Sequence, residues 1–423
     1  MNTVLERKER NSGIELLRIV AMFAIMVLHV LGQGGVLGAA EYMSKSYEIA
    51  WLLETLCFFG VTAYGLISGY VGVDGNYKIT NIIYTWLQIF LFNAIGTIML
   101  CAYLGSWPLG IVIKAILFPV LTESYWYFTA YFGLFFLIPV LNLAFKNLKK
   151  QYLKAMVIIS ILLFSVGPIF IDTDAFGLRE GLSVVWLITV YIIGAYVKKY
   201  NILDKFSVSK SFVIFLVAVV LSWGAKFLLE KYVISSGTLY NDGGNILISY
   251  TSPTILIASL ALISLFSKLN IGKKGSKWIN RVAALTFGVY LVNCSPYVWN
   301  VYMPKRFADY AGYPVWKMLL CVLVTALYLL LVGIAIDGIR FLIFELFKLR
   351  ERLAVLNEKI MLDKCPVCGK RRLEKFEICD NCGWENDPVQ RNNPDFEGGA
   401  NKQSLNEYKE AYENNGASGC SKE

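Results

Sequence analysis

About ten apolar runs fill the first 350 residues, and most are long enough to cross a hydrocarbon core. They lie near 14–34, 49–72, 79–104, 126–145, 153–171, 182–197, 211–231, 247–267, 282–303 and 315–347. A spanning helix needs about 20 predominantly apolar residues, because no water is present to satisfy its backbone. Hydrophobic residues make up 56% of the chain and charged residues 17%, against about 25% charged in soluble domains. A soluble globule is therefore excluded. The expected fold is an all-α polytopic membrane protein of about ten transmembrane helices. One further run, 109–121, is short and reads as an interfacial or re-entrant piece.

The basic residues supply an orientation. With the N-terminus cytoplasmic, Arg7, Lys8 and Arg10 lie inside. Alternate loops then carry Lys78, the Lys146–Lys154 group, the Lys198–Lys210 group and the group from Lys268 to Arg281. The opposite loops carry only Lys45, Lys114, Arg179, Lys231, and Lys305 with Arg306 and Lys317. This bias obeys the positive-inside rule and places the C-terminus inside as well, as in a multi-pass protein of a cell membrane. The net charge of +9 is thus mainly an orientation signal. A nucleic-acid partner would need a clustered basic face, and none is visible. Arg18 interrupts the first apolar core, so this segment reads as a retained span and not a cleaved signal.

The chain contains one histidine, His29, and it lies inside the first run. The stretch reads Ile14-Glu15-Leu16-Leu17-Arg18, then ten apolar residues, then His29. Eleven steps of about 100° return to within roughly 20° of the start, so Arg18 and His29 share a helix face about 16 Å apart along the axis. Glu15 lies about 40° away on that face. If Arg18 marks the cytosolic boundary, His29 is near the midplane, where an ionisable side chain is costly and is a functional candidate by default. The plainer alternatives are a histidine bonded to a neighbouring helix and an arginine that anchors a helix end. Lys226, Glu230 and Glu54 could line an acceptor cavity or snorkel to the interface. Asp337 and Arg340, three residues apart, read as a structural pair.

Composition changes after about residue 350. The sequence divides into a membrane module (1–350), a linker (351–361), a polar cysteine module (362–415) and a disordered tail (416–423). Cys365 and Cys368, then Cys379 and Cys382, form two CxxC pairs, each followed by glycine. That pattern fits two knuckles of a tetrahedral thiolate site holding a structural Zn²⁺, as in a zinc ribbon. The turns can aim backbone amides at the sulfurs. A cytosolic location argues against disulfides.

Around those cysteines stand Trp384-Glu385-x-Asp387-Pro388-x-Gln390, Asn393-Pro394-Asp395, Gly398-Gly399-Ala400-Asn401 and Ser404-Leu405-Asn406-Glu407. Residues 364–412 therefore resemble the bacterial cysteine-rich CPCC domain, whose molecular role is not established. The membrane module resembles the acyltransferase-3 family. The resemblance rests on Arg18 and His29 with Glu15 before them, Ile67-Ser68-Gly69-Tyr70 read as a turn, Trp126-Tyr127-Phe128 with Tyr131 and Pro139, and Phe287-Gly288-Val289-Tyr290-Leu291-Val292. It implies an acyl-CoA donor, most simply acetyl-CoA, taken from the cytosol. It also implies a hydroxyl acceptor on a cell-surface glycan or lipid-linked sugar. Under it, His29 and Arg18 would be catalytic, and Glu15, Ser68, Lys78, Trp126, Tyr127 and Tyr290 would contact substrate. Two positions depart from the family pattern. Asn293 stands where a second histidine is frequent, and the loop after span two offers only Lys78 where the family loop is often rich in arginine.

An acceptor hydroxyl becomes a good nucleophile when a base takes its proton, and imidazole titrates closest to neutrality. The same imidazole could instead attack the thioester and carry the acyl group. The competing class is a non-enzymatic transporter, or a sensor whose ribbon recruits a cytosolic protein partner. A transporter more often shows paired half-repeats, and no convincing repeat is present.

Overall fold

The computed structural model describes residues 10–75, 77–171, 173–237 and 244–415, apart from the side chains of 358, 359, 361 and 415. Arg7, Lys8 and the expected disordered tail at 416–423 lie outside the described residues. The chain forms two compact units, residues 1–77 with 85–343, and residues 78–84 with 344–423.

The first unit is helical. Helix α1 (Ser12–Leu31) starts where the Asn11 side chain accepts the Ile14 N–H, and it carries Glu15 in its first turn, where the helix dipole favours an acid. A short α2 (Val36–Ala39) follows, then α3 (Lys45–Cys57) and α4 (Phe59–Gly72), joined at Phe58. Next come α5 (Thr80–Leu104), α6 (Leu109–Leu117), α7 (Trp126–Asn147) and α8 (Lys150–Ile161), which runs into a π-helical turn at Leu162–Val166. Then follow α9 (Val184–Lys199), α10 (Val208–Ser236), α11 (Pro253–Phe266), α12 (Lys273–Ala283), α13 (Thr286–Asn293), a second π-helical turn at Val298–Tyr302, and α14 (Val315–Leu346).

Among the described residues, seven helical segments are long and apolar enough to cross a membrane. The other three expected runs carry shorter helices: α9 with 16 residues, α11 with 14 and α13 with 8. Broken backbone at membrane depth is tolerated only where protein satisfies it. The lead-in to α11 shows how. Thr62 Oγ1 donates to the Tyr250 carbonyl at 3.0 Å, and Ser165 Oγ donates to the Thr251 carbonyl at 2.5 Å. Helix α6, at nine residues, is too short to span, as expected of the 109–121 run.

Helix α4 packs on α9 through backbone. A Cβ on Gly69 would lie 2.0 Å from the Tyr191 carbonyl oxygen, and one on Gly194 would lie 2.1 Å from that of Leu66. Gly65 and Gly69 therefore form a small-xxx-small seam. This corrects the expectation of a turn at Ser68-Gly69-Tyr70, because the segment is continuous helix and its glycine serves close approach.

Buried polar groups join the helices. Asp337 pairs with Arg340 on α14, as expected, and also accepts from Gln88 Nε2 at 3.0 Å. Lys226 and Glu230 do not snorkel. Both are buried and bonded to each other, and Tyr47 of α3 donates to Glu230 Oε1 at 2.7 Å.

In the second unit, the expected linker at 351–361 is part of a helix, α15 (Leu349–Met361). Strands β1 (Asp363–Lys364) and β2 (Arg372–Leu373) pair antiparallel, and α16 (Pro388–Asn392) and α17 (Leu405–Asn415) follow. The core gathers Val367, Leu373, Trp384, Leu405 and the four cysteines. Asp387 caps α16 and accepts the Ala400 N–H at 2.9 Å. Gln390 Nε2 donates to the carbonyls of Phe396, Asn401 and Gln403. Ser404 and Glu407 form a reciprocal capping box at the start of α17.

Candidate active site and metal centre

Because α1 is unbroken from Ser12 to Leu31, the register read from sequence holds, and Arg18 and His29 share one face. His29 lines a cavity of about 60 Å³. Its apolar walls are Met22, Ile25, Leu28 and Val61, and its aromatic walls are Tyr64, Trp126, Tyr127, Tyr250, Phe287 and Tyr290. Three helices meet there. Helix α4 brings Tyr64, the N-terminal turn of α7 brings Trp126 and Tyr127, and α13 brings Phe287 and Tyr290. Gly288 has no room for a side chain, since a Cβ there would lie 2.0 Å from Asp337 Cγ. The buried Asp337–Arg340–Gln88 cluster thus sets how closely α13 approaches α14.

The His29 ring meets Trp299 edge to face, with centroids 5.0 Å apart and planes at 70°. Its Nδ1 is buried and has no hydrogen-bond partner among the described residues. No carboxylate among the described residues bonds to the ring, so the imidazole is not part of an acid–histidine dyad. The Tyr290 hydroxyl accepts the Tyr127 backbone N–H at 3.3 Å and keeps its own proton to donate.

Arg18 does not line the cavity. Its Nε is 3.8 Å from Glu15 Oε2, the i−3 pairing expected from sequence. Its guanidinium donates no hydrogen bond among the described residues, while its carbonyl accepts from the Tyr64 hydroxyl at 2.7 Å. Ser68 lies outside the cavity lining, and its hydroxyl is spent on the Tyr64 carbonyl at 2.9 Å. Lys78 is exposed and belongs to the second compact unit. Of the expected site residues, the structure therefore joins His29, Trp126, Tyr127 and Tyr290 in one cavity, and Arg18 and Glu15 lie outside its lining. Tyr64, Tyr250, Phe287 and Trp299 were not singled out as site residues by sequence. Tyr64 lies in an apolar helix whose periodicity gives no signal for it. Tyr250 sits in non-helical backbone and has none.

In the second unit the four cysteine sulfurs all lie within 4.8 Å of one another. The shortest pairs cross between knuckles, Cys365 with Cys382 at 3.5 Å and Cys368 with Cys379 at 3.6 Å. A disulfide needs about 2.05 Å. A tetrahedron with metal–sulfur bonds of about 2.3 Å has edges of about 3.8 Å, so the donor set fits a thiolate-bound ion such as zinc. Backbone N–H groups of Val367 and Cys368 point at the Cys365 sulfur, and that of Trp384 points at Cys382. Burial pushes the Cys365 and Cys382 thiols up. Burial also raises Cys368, but the Lys370 N–H and the neighbouring thiols outweigh it and bring this group down to about 7.

Two family models match the chain. One, described as an acyltransferase domain, covers residues 11–336, and one for the cysteine-rich CPCC module covers 363–423. No curated protein and no solved structure matches it.

Proposed function

Since the chain belongs to the acyltransferase-3 family, whose model spans residues 11–336, we propose that it moves an acyl group from cytosolic acyl-CoA to a hydroxyl of a surface glycan or lipid-linked sugar. Acetyl is the group best suited to a cavity of about 60 Å³. The observation that carries this reading is the chain's one imidazole facing an aromatic cavity built from three other helices.

In this reading His29 takes the proton of the acceptor hydroxyl. The hydroxyl oxygen attacks the thioester carbon and the C–S bond breaks. The thiolate leaves and recovers a proton, so the products are an ester and free CoA thiol. Tyr290, with its proton unspent, donates to the developing oxyanion. Arg18, whose guanidinium lacks a hydrogen-bonded partner among the described residues, holds an anionic part of the donor on the cytosolic side. An acyl-imidazole route uses the same residues, with His29 as carrier. The C-terminal module is a structural zinc ribbon that offers a cytosolic partner a docking surface and supplies no step of the chemistry.

The test is His29→Ala, with surface-glycan O-acylation measured by mass spectrometry in cells holding equal amounts of inserted protein. Acylation should be lost. Normal acylation in that variant removes His29 from the mechanism.

A further inference from the structure

A second cavity, of about 240 Å³, shares one lining residue with the first. It sits between the N-terminal turns of α7 and α9 and the loop before α9, with Glu123, Trp126, Thr129, Arg179 and Ser183 in its walls. One residue, Trp126, is common to the linings of both cavities. Trp126 therefore adjoins both the His29 chamber and the larger cavity.

The walls of this second cavity include unusual backbone. Glu123 and Arg179 both adopt left-handed conformations, at φ of 50° and 49°, and so does Glu180 at 56°. Gly177 and Gly181 flank them at 63° and 101°. The Asp174 carboxylate holds the loop by accepting the N–H groups of Leu178 at 2.7 Å and Arg179 at 2.8 Å. The result is a forked contact, Arg179 Nη1 and Nη2 to Glu123 at 3.2 Å. Both side chains are about half exposed, so the pair contributes little stability to offset the strain. Non-glycine residues held in such conformations point to function when the surroundings over-determine them. Here two of the strained positions, Glu123 and Arg179, bring a carboxylate and a guanidinium into the cavity lining.

The chemistry of the walls selects a class of ligand. An indole offers an apolar face for C–H groups. Glu123 accepts from hydroxyls and Arg179 donates to them. Thr129 donates to the Val120 carbonyl and can still accept, while Ser183 accepts the Trp186 N–H and can still donate. A flat apolar face ringed by such groups fits a polyhydroxylated ring. The charge bias of the loops puts Glu123 and Arg179 on the face opposite the basic loops.

We propose that this outward cavity is the acceptor vestibule, and that a sugar ring docks on Trp126 with one hydroxyl directed past the indole toward His29. The inference rests on the acyl-transfer reading. Its test is Val185→Cys, a conservative change in the cavity wall, probed with a membrane-impermeant methanethiosulfonate. The reagent is applied to cells whose outer membrane face is accessible, and separately to inverted vesicles, with the unsubstituted protein as background. Labelling should occur from the outer face only. It should lower glycan O-acylation at least tenfold relative to the same variant before reaction, and a thiol reductant should restore it. Labelling from the cytosolic face only, no labelling from outside, or full acylation by labelled protein overturns the proposal. The label should also enter Val185→Cys combined with His29→Ala. Outer labelling that blocks acylation, together with normal acylation in His29→Ala alone, would overturn the role of His29 and leave the vestibule standing.

Discussion

Gly69→Ala gives a direct reading of the α4–α9 seam. The new methyl carbon would sit 2.0 Å from the Tyr191 carbonyl oxygen and 2.7 Å from its carbon. A carbon–oxygen contact settles at about 3.3 Å, so the two backbones must part by roughly 1.3 Å. No rotamer change can relieve this, because both obstructing atoms are main chain. Gly194 meets Leu66 on the reciprocal side, so separation at one glycine also loosens the other. Overpacking costs about 1–3 kcal/mol, and a backbone clash belongs at the upper end. Helix α4 carries Val61 and Tyr64, so the cavity around His29 opens as the seam widens. The assay is thermal unfolding in detergent at a fixed scan rate, with acyl transfer measured per folded molecule. The midpoint should fall by several degrees and activity should fall with it. Gly224→Ala is the control, because a Cβ there meets nothing within 4 Å, and it should cause no loss. Equal midpoints for the two variants would refute the claim that backbone proximity holds α4 to α9.

Three further outcomes follow from other parts of the molecule. Full-length protein should carry about one zinc per chain by elemental analysis, and Cys365→Ser should lower that content; a folded, metal-free C-terminal module would contradict the thiolate site. Gly288→Ala should leave little folded protein on size-exclusion chromatography, because it drives a methyl into the buried Asp337 carboxylate, and unpairing such a charge costs about 3–5 kcal/mol. Asp387 is held below the usual carboxylate range chiefly by the Ala400 N–H, against the opposing effect of burial and with help from the Val389 N–H. A depressed folded-state value gives stability that is present above about pH 4 and is lost as pH falls through the folded value. Hydrogen exchange at Ala400 and Val389 should therefore be faster in Asp387→Asn at neutral pH, and the difference from the parent should shrink in acid.

The apolar runs were legible because length and charge-free composition suffice to find them, and each of the ten carries helix. Where the helices break was less legible. Pro253 marks the start of α11, but the non-helical backbone before it is stable only because Thr62 and Ser165 cap its carbonyls from other helices. In a segment apolar on all sides, periodicity does not say which aromatic faces inward. Tyr64 and Tyr250 were missed for that reason, whereas His29 stood out by its polarity. Ser68-Gly69-Tyr70 was legible as a motif and misread as a turn, since a glycine that permits a turn and one that permits helix contact look the same in sequence. Lys226 and Glu230 were left between a cavity lining and snorkelling, because their partner Tyr47 is far away in the chain. In the C-terminal module Asp387, Gln390, Ser404 and Glu407 were legible as a signature, and their roles as caps and carbonyl clamps emerged with the fold.

The isolation of the His29 ring has a practical consequence. In a sample labelled with nitrogen-15 at histidine, every imidazole resonance of this chain arises from one walled chamber. Tautomer, protonation and any bond formed at either ring nitrogen can then be followed without assignment, in a protein of 47.6 kDa whose other resonances overlap. The molecule contains its own single-site spectroscopic probe, placed where the chemistry is expected.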